Sequence, residues 1–207
     1  IMSGYERVLQ ARLEDFKFYL KKDLKITAEQ RLQNLKNIIF HKYLGNMFIK
    51  TNRLIKLTYY INKFVPDNNL SLVERAATLS KTDLASDMVR ELPELQGFMG
   101  KYYANEIGEN QDVAEALLDH YKPVNIDDEC PAKPISIVLS IADRVDNLAG
   151  FFLIDEKPTG NKDPFALRRA MLAIIRIILQ NNLNINSNLF NLASYSIGRM
   201  MLQVLID

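Results

Sequence analysis

Residues 135–154 read ISIVLSIADRVDNLAGFFLI, a helix-length apolar run with Asp143, Arg144, Asp146 and Asn147 at its centre. Asp143 and Asp146 stand three apart, so on a helix they share one face. A carboxylate in such surroundings must be paired, coordinated or protonated, because an uncompensated buried charge is too costly. Any fold of this chain must therefore bring cations or a metal to the middle of this helix from elsewhere in the sequence.

A second apolar run supplies one set of candidates. In KPTGNKDPFALRRAMLAIIRIIL, residues 157–179, a Pro-Thr-Gly turn and an Asp-Pro start precede a helix interrupted by Arg168, Arg169 and Arg176. On a helical wheel the three fall within one stripe, and bidentate pairing of Arg169 and Arg176 with Asp143 and Asp146 would satisfy both helices. The competing reading is a partly exposed edge for phosphate contact, which suits Arg168.

The rest of the chain carries helical periodicity as well. Val8, Leu9, Leu13, Phe16 and Leu20 recur at spacings of three and four. Thr27 and Gln30 form a capping-box signature for a helix from Ala28 to about Tyr43, with Gly45 at its C-terminal turn. Further helices are expected over 47–63, 71–90, 94–107, 111–121, 135–154, 164–181 and 188–206. Asp163 is the expected cap of the 164–181 helix, with Pro164 in its first turn. YKPVNIDDECPAKP, residues 121–134, is the one substantial loop. No alternating stretch is long enough to defend as a sheet, and no 20–50-residue repeat appears. The expected class is all-α.

Charge narrows the partners. The net is only +1, but residues 1–63 hold 13 Lys/Arg against 5 Asp/Glu (net +8). Residues 64–160 hold 8 against 18 (net −10), and residues 161–207 hold 5 against 2 (net +3). The asymmetry points either to an anionic partner at the N-terminal helices or to basic and acidic parts facing each other within the fold. Lys50, Arg53 and Lys56 at spacing three, and Lys17, Lys21 and Lys25 at spacing four, form two cationic rows. No run of aromatics alternates with them, so they suit the backbone of a folded RNA better than stacked single strands.

Several chemistries lack raw material. There is no CxxC pair, HExxH, Walker loop or GxGxxG, and His41 and His120 are the only histidines. Cys130, the single cysteine, cannot form an internal disulfide, so a reducing, cytoplasmic setting is expected. No signal peptide is read at the start, and Arg176 breaks the best candidate for a membrane span. The polar residues of 75–104 read as a solvated face, and Gly97 and Gly100 as sites of close helix approach. SYSIGRMMLQVLID ends inside a helical pattern, so the chain reads as part of a longer one.

Four strings in this order, KTDLASDMVRELPELQGFMGKYYA, DVAEALLDHYKP, IADRVDNLAGFF and KPTGNKDPFALRRAMLAIIRII, resemble the β subunit of the bacterial two-subunit glycyl-tRNA synthetase. GYERVLQARLEDFKFYLKKDL and FHKYLGNMFIKTNRL fit the same family, and the resemblance covers about residues 3 to 185. It implies an internal helical domain of the HD superfamily within a tRNA-holding subunit. The α subunit of a heterotetramer would perform glycine activation and transfer with ATP and Mg.

Active HD proteins hold metal for phosphate-ester hydrolysis with a histidine, a His-Asp dipeptide and a distal aspartate. Here His41 would stand for the first and Asp143 or Asp146 for the last, while Ser80 and Lys81 replace the dipeptide. A hydroxyl and an ammonium cannot serve as those ligands. The reading is a degenerate metal site with no catalytic residue and no cofactor in this piece. It places basic N-terminal helices at 1–63, an HD-like core at 64–181 and a C-terminal helix at 182–207. Expected RNA contacts are Lys17, Lys21, Lys25, Lys50, Arg53, Lys56 and Arg168; no membrane partner is expected. The alternatives are a metal-dependent HD phosphohydrolase and a purely structural subunit-contact module.

Overall fold

The structure, a computed structural model, describes residues 2–185 and Asn191. Among these, nine α-helices dominate: α1 (Met2–Asp23), α2 (Ala28–Asn34), α3 (Met47–Ile61), α4 (Leu70–Leu79), α5 (Asp87–Glu91), α6 (Phe98–Glu106), α7 (Gln111–Asp119), α8 (Pro134–Leu153) and α9 (Leu167–Gln180). The expected helix over 188–206 lies outside the described residues, apart from Asn191.

The central helix is α8. Val138, Ile141, Ala142 and Val145 are buried against Leu54, Leu57 and Ile61 of α3, Ala76 and Ala77 of α4, Val113 and Leu117 of α7, and Ile174 and Ile177 of α9, in one core. A smaller core gathers Met88, Val89, Met99 and Tyr103 under Phe16, Tyr19 and Leu20 of α1. The apolar stripe of α1 therefore divides. Its last turns are covered, while Val8, Leu9 and Leu13 remain exposed.

Local chemistry sets most boundaries. Thr27 and Gln30 form both halves of the capping box on α2. That helix stops at Asn34, well short of Tyr43. A 3-10 turn follows, and Ile39–His41 (β1) pairs antiparallel with Gly45–Asn46 (β2). The two-stranded sheet was not legible as alternation because each strand is only two or three residues long. Gly45, at φ +82°, turns this hairpin rather than ending a helix, a conformation that costs glycine little. Asn46 then caps α3 by accepting from the Ile49 amide at 3.0 Å.

The helix expected over 71–90 is broken. Ser80 turns its hydroxyl onto the Ala77 carbonyl at 2.8 Å, and a 3-10 turn at Thr82–Ala85 separates α4 from α5. The fully buried Asp23 carboxylate accepts from the Asp87 and Met88 amides at 2.9 and 3.0 Å, supplying the start of α5. Gly97 has φ +80°, and a Cβ there would meet the Tyr121 ring at 2.7 Å, so α6 begins only at Phe98. Gly100 faces Asp83 and Leu117, but a Cβ there would make ordinary contacts at 3.5 Å, so this position does not need glycine for close approach. The helix expected from 164 begins at Leu167, after Ala166 at φ +56°; Asp163 still accepts from the Leu167 and Arg168 amides at 2.8 and 3.0 Å, and Pro164 sits in the turn before the helix. Among the described residues, no helix is long and apolar enough to cross a membrane.

Candidate functional site

Asp143 and Asp146 point from α8 toward α3, and α3 answers with the same spacing. Lys50 Nζ lies 2.9 Å from Asp143 Oδ1 and 2.9 Å from Asp146 Oδ2, and it donates to Asn147 Oδ1 at 2.7 Å. Arg53 donates through Nε to Asp146 Oδ1 at 2.6 Å and through Nη2 to Oδ2 at 3.1 Å, the bidentate geometry of a guanidinium–carboxylate pair. Its Nη1 reaches the Leu44 carbonyl at 2.8 Å, which ties the hairpin to the helices. Two i,i+3 pairs, one of acids and one of bases, thus close on each other across the α3–α8 contact.

Lys81 completes the network. Its ammonium lies 2.9 Å from Asp143 Oδ2 and 2.9 Å from His120 Nε2, and it donates to the Tyr121 hydroxyl at 3.2 Å. The other imidazole nitrogen, Nδ1, sits 3.0 Å from the Ala116 carbonyl. A carbonyl can only accept, so Nδ1 carries the proton and Nε2 takes one from Lys81. Burial and the neighbouring Lys81 charge hold the His120 pKa well below its ordinary value, which keeps the ring neutral. Burial pushes the Asp143 and Asp146 pKa values upward. The cationic charges outweigh it: Lys50 and Lys81 for Asp143, Lys50 and Arg53 for Asp146, and both carboxyls end below the usual range. Asp83, nearby, is dominated by burial, which raises its pKa, although its Oδ2 accepts from the Gly97 amide at 2.6 Å.

Arg144, next to Asp143 on α8, turns toward residues 120–123. It donates to the carbonyls of His120, Ser140, Tyr121 and Pro123 at 2.9–3.1 Å and to Ser140 Oγ at 2.6 Å. Its guanidinium holds the start of the 121–134 loop against α8.

This arrangement corrects three sequence expectations. The polar residues of 75–104 are not simply a solvated face, since Lys81 and Asp83 are buried. Lys50 and Arg53 are 3% and 2% exposed, so neither can meet an RNA backbone. Helical geometry explains why the row failed as a surface. Steps of three residues turn the side chain by about 60° short of a full rotation, so Lys56 lies about 120° from Lys50, and it alone of the three is exposed. The arginines of α9 do not neutralise Asp143 and Asp146 either. Arg168 and Arg169 are exposed. Arg176 donates to the Asn125 and Asp128 carbonyls at 3.0 and 2.6 Å. Leu167, Ile174 and Ile177 dock α9 in the core, while the carboxylates of α8 are taken by α3 and by Lys81. Lys17, Lys21 and Lys25 are exposed, with Lys17 paired to Glu14 at 2.9 Å.

The positions matched to a metal centre do not fit a divalent ion. His41 packs among Tyr43, Phe151 and Phe165, with ring centroids 5.6–5.9 Å away. Ser80 spends its hydroxyl on the helix end, and the Lys81 ammonium lies against Asp143 where a cation would be held. Among the described residues, no three His, Cys, Asp or Glu side chains converge as ligands.

A family model described as "Glycyl-tRNA synthetase beta subunit" matches residues 1–202. The chain belongs to that family. Among curated members of the glycyl-tRNA synthetase beta-subunit family, the glycine–tRNA ligase beta subunit of Rickettsia prowazekii (strain Madrid E) is 46% identical over 198 residues, 96% of this chain and 29% of that protein. The beta subunit from Ruegeria sp. (strain TM1040) is 44% identical over 190 residues, 89% of this chain and 28% of that protein. That from Neisseria meningitidis serogroup C (strain FAM18) is 44% identical over 186 residues, 90% of this chain and 27% of that protein. The chain thus spans under a third of the length of these glycyl-tRNA synthetase beta-subunit relatives. Within it, sequence reasoning missed Lys50, Arg53 and Lys81 as the partners of α8. Matching i,i+3 spacing was the available signal for the first two; for Lys81 it was the resemblance, which set Lys81 and Asp143 in one degenerate site.

Proposed function

We propose that this chain is a tRNA-binding, auxiliary part of a glycine–tRNA ligase and performs no chemistry of its own. The observation that carries the reading is the separation of its cations. Lys50, Arg53 and Lys81 are consumed by buried carboxylates, whereas Lys17, Lys21, Lys25, Lys56 and Arg168 stay at the surface of a chain whose relatives are tRNA ligase beta subunits. The helical body is read as a degenerate HD-type fold in which the Lys81 ammonium stands in the place of a metal. That placement weighs against the phosphohydrolase alternative, because an ammonium on the distal aspartate repels a divalent ion. In the whole enzyme, an α subunit would carry glycine activation with ATP and Mg, in a cytoplasmic heterotetramer to which this part contributes tRNA contacts.

Contact through solvated lysines acts on phosphates, so affinity should fall steeply with salt and show little dependence on tRNA sequence. Filter binding of tRNA at two salt concentrations tests this on the wild type and on a Lys17→Glu, Lys21→Glu, Lys25→Glu variant. The triple variant should bind several tRNAs more weakly by a similar factor and show a shallower salt slope. Unchanged affinity would assign the α1 surface to subunit contact and overturn the reading.

A further inference from the structure

Beside the buried network, α8, the start of α9 and the 120–124 segment enclose an open cleft of about 230 Å³. Its walls include Tyr121, Val124, Arg144, Asn147, Phe165 and Arg169. None of the readings above uses it.

The charge balance of the buried groups behind the cleft is positive. Lys50, Arg53 and Lys81 face two carboxylates, Asp143 and Asp146, which leaves one cation in excess. Arg144 adds a second: it is nine-tenths buried, and its hydrogen bonds run to carbonyls and a serine hydroxyl, never to a carboxylate. Counting Asp83 as ionised still leaves an excess. Asp143 also lines the cleft, but each of its oxygens faces a lysine ammonium. Arg169 stands at the wall on the exposed side of α9, with no carboxylate pairing among the described residues. Cationic walls with low-dielectric backing concentrate anions.

Two further features give the ligand a shape. Asn147 accepts from Lys50 through Oδ1, which fixes the amide orientation and leaves Nδ2 without a protein acceptor among the described residues. Phe165, whose ring stacks on Phe151 with centroids 4.0 Å apart, and Val124 add apolar surface to the wall. An anion group for the arginines, a polar edge for Asn147 and a flat face for Phe165 are together the chemistry of one nucleotide.

We propose that this cleft binds a single nucleoside monophosphate unit, its phosphate on Arg169 with Arg144 behind it and its base against Phe165. The unit is supplied either as a free mononucleotide or as an unpaired nucleotide of RNA. In the second case the proposal deepens the tRNA-binding reading, yet it depends on residues distinct from Lys17, Lys21 and Lys25.

Titration of the 207-residue chain with AMP, CMP and inorganic phosphate, followed by the NMR signals of the Asn147 side-chain amide and the Phe165 ring, tests the site. Nucleotides should shift both signals, and phosphate alone should bind more weakly. Arg169→Ala should weaken nucleotide binding roughly tenfold or more, as loss of a charge-assisted contact implies, and Arg169→Lys should restore part of it. The Lys17/Lys21/Lys25 triple variant should bind mononucleotide normally, so failure of the tRNA reading and failure of this one are separable. A short unstructured oligonucleotide that binds more tightly than AMP or CMP assigns the site to RNA; equal or weaker binding assigns it to free nucleotide. Absence of shifts at millimolar nucleotide, equal affinity for phosphate and nucleotide, or full binding by Arg169→Ala overturns the proposal.

Discussion

Asp146 has no exposed surface, and both its oxygens are held by Lys50 and Arg53. Its removal would leave Arg53 without a carboxylate in the interior and Lys50 with Asp143 alone, and breaking a buried pair from one side costs about 3–5 kcal/mol. Asp146→Ala should therefore lower unfolding free energy by about that amount in denaturant melts. Replacement of an exposed helical acid such as Glu14, which pairs across one turn with exposed Lys17, should change stability far less. A neutral Asp146 variant would mean that the α3–α8 ion pairs contribute nothing net. The need for such partners was readable from the amino acids alone, because no carboxylate tolerates the middle of ISIVLSIADRVDNLAGFFLI unaided. Which cations would come was not readable. Arg169 and Lys50 are equally capable of pairing, and only packing separates them.

At the scale of elements, α9 shows the same limit. Its apolar positions predicted a buried helix, and Leu167, Ile174 and Ile177 are indeed in the core. The three arginines, however, divide between two roles. Arg176 bridges to the 121–134 loop through two carbonyls and Arg168 faces solvent near Leu148 and Met171. Hydrogen bonds from a charged donor contribute about 1.5–3 kcal/mol, so Arg176→Ala should destabilise by about 1–3 kcal/mol and raise amide exchange across residues 124–129. Arg168→Ala should leave both unchanged. Equal exchange in the Arg176 variant would show that Arg144 alone holds the loop. The broken helix between Leu79 and Asp87 has a related origin: Ser80 ends α4 and a carboxylate from distant Asp23 starts α5. Local spacing favoured one long helix because half of the capping chemistry lies 64 residues away.

For the molecule as a whole, the buried network makes stability depend on pH. The His120 pKa is lowered on folding, so between that value and about 6.5 the unfolded chain binds a proton that the folded chain refuses. Unfolding free energy therefore falls as pH drops below about 6.5. Asp143 and Asp146, also lowered, add a further loss below the carboxylate range of 3.8. Asp83 works in the opposite sense, since its raised pKa lets the folded state gain a proton first as pH falls. Melting temperature should be level near neutrality, decline through weak acid and drop steeply in strong acid. His120→Gln should flatten the first decline relative to wild type. An identical slope in that variant would remove His120 as the titrating group.

The amino acids alone determined that the chain is helical and that α8 must be central with charged company. They also carried the β-subunit resemblance, because helical period, caps and motif strings are local along the chain. The tertiary structure decided what no local pattern holds. It selected Lys50, Arg53 and Lys81 as the partners of Asp143 and Asp146, turned Arg169 outward and folded residues 39–46 into a hairpin. Cations on several helices could each satisfy the same carboxylate. The choice among them follows from which helix faces fit against α8, and that fit is a property of the assembled core.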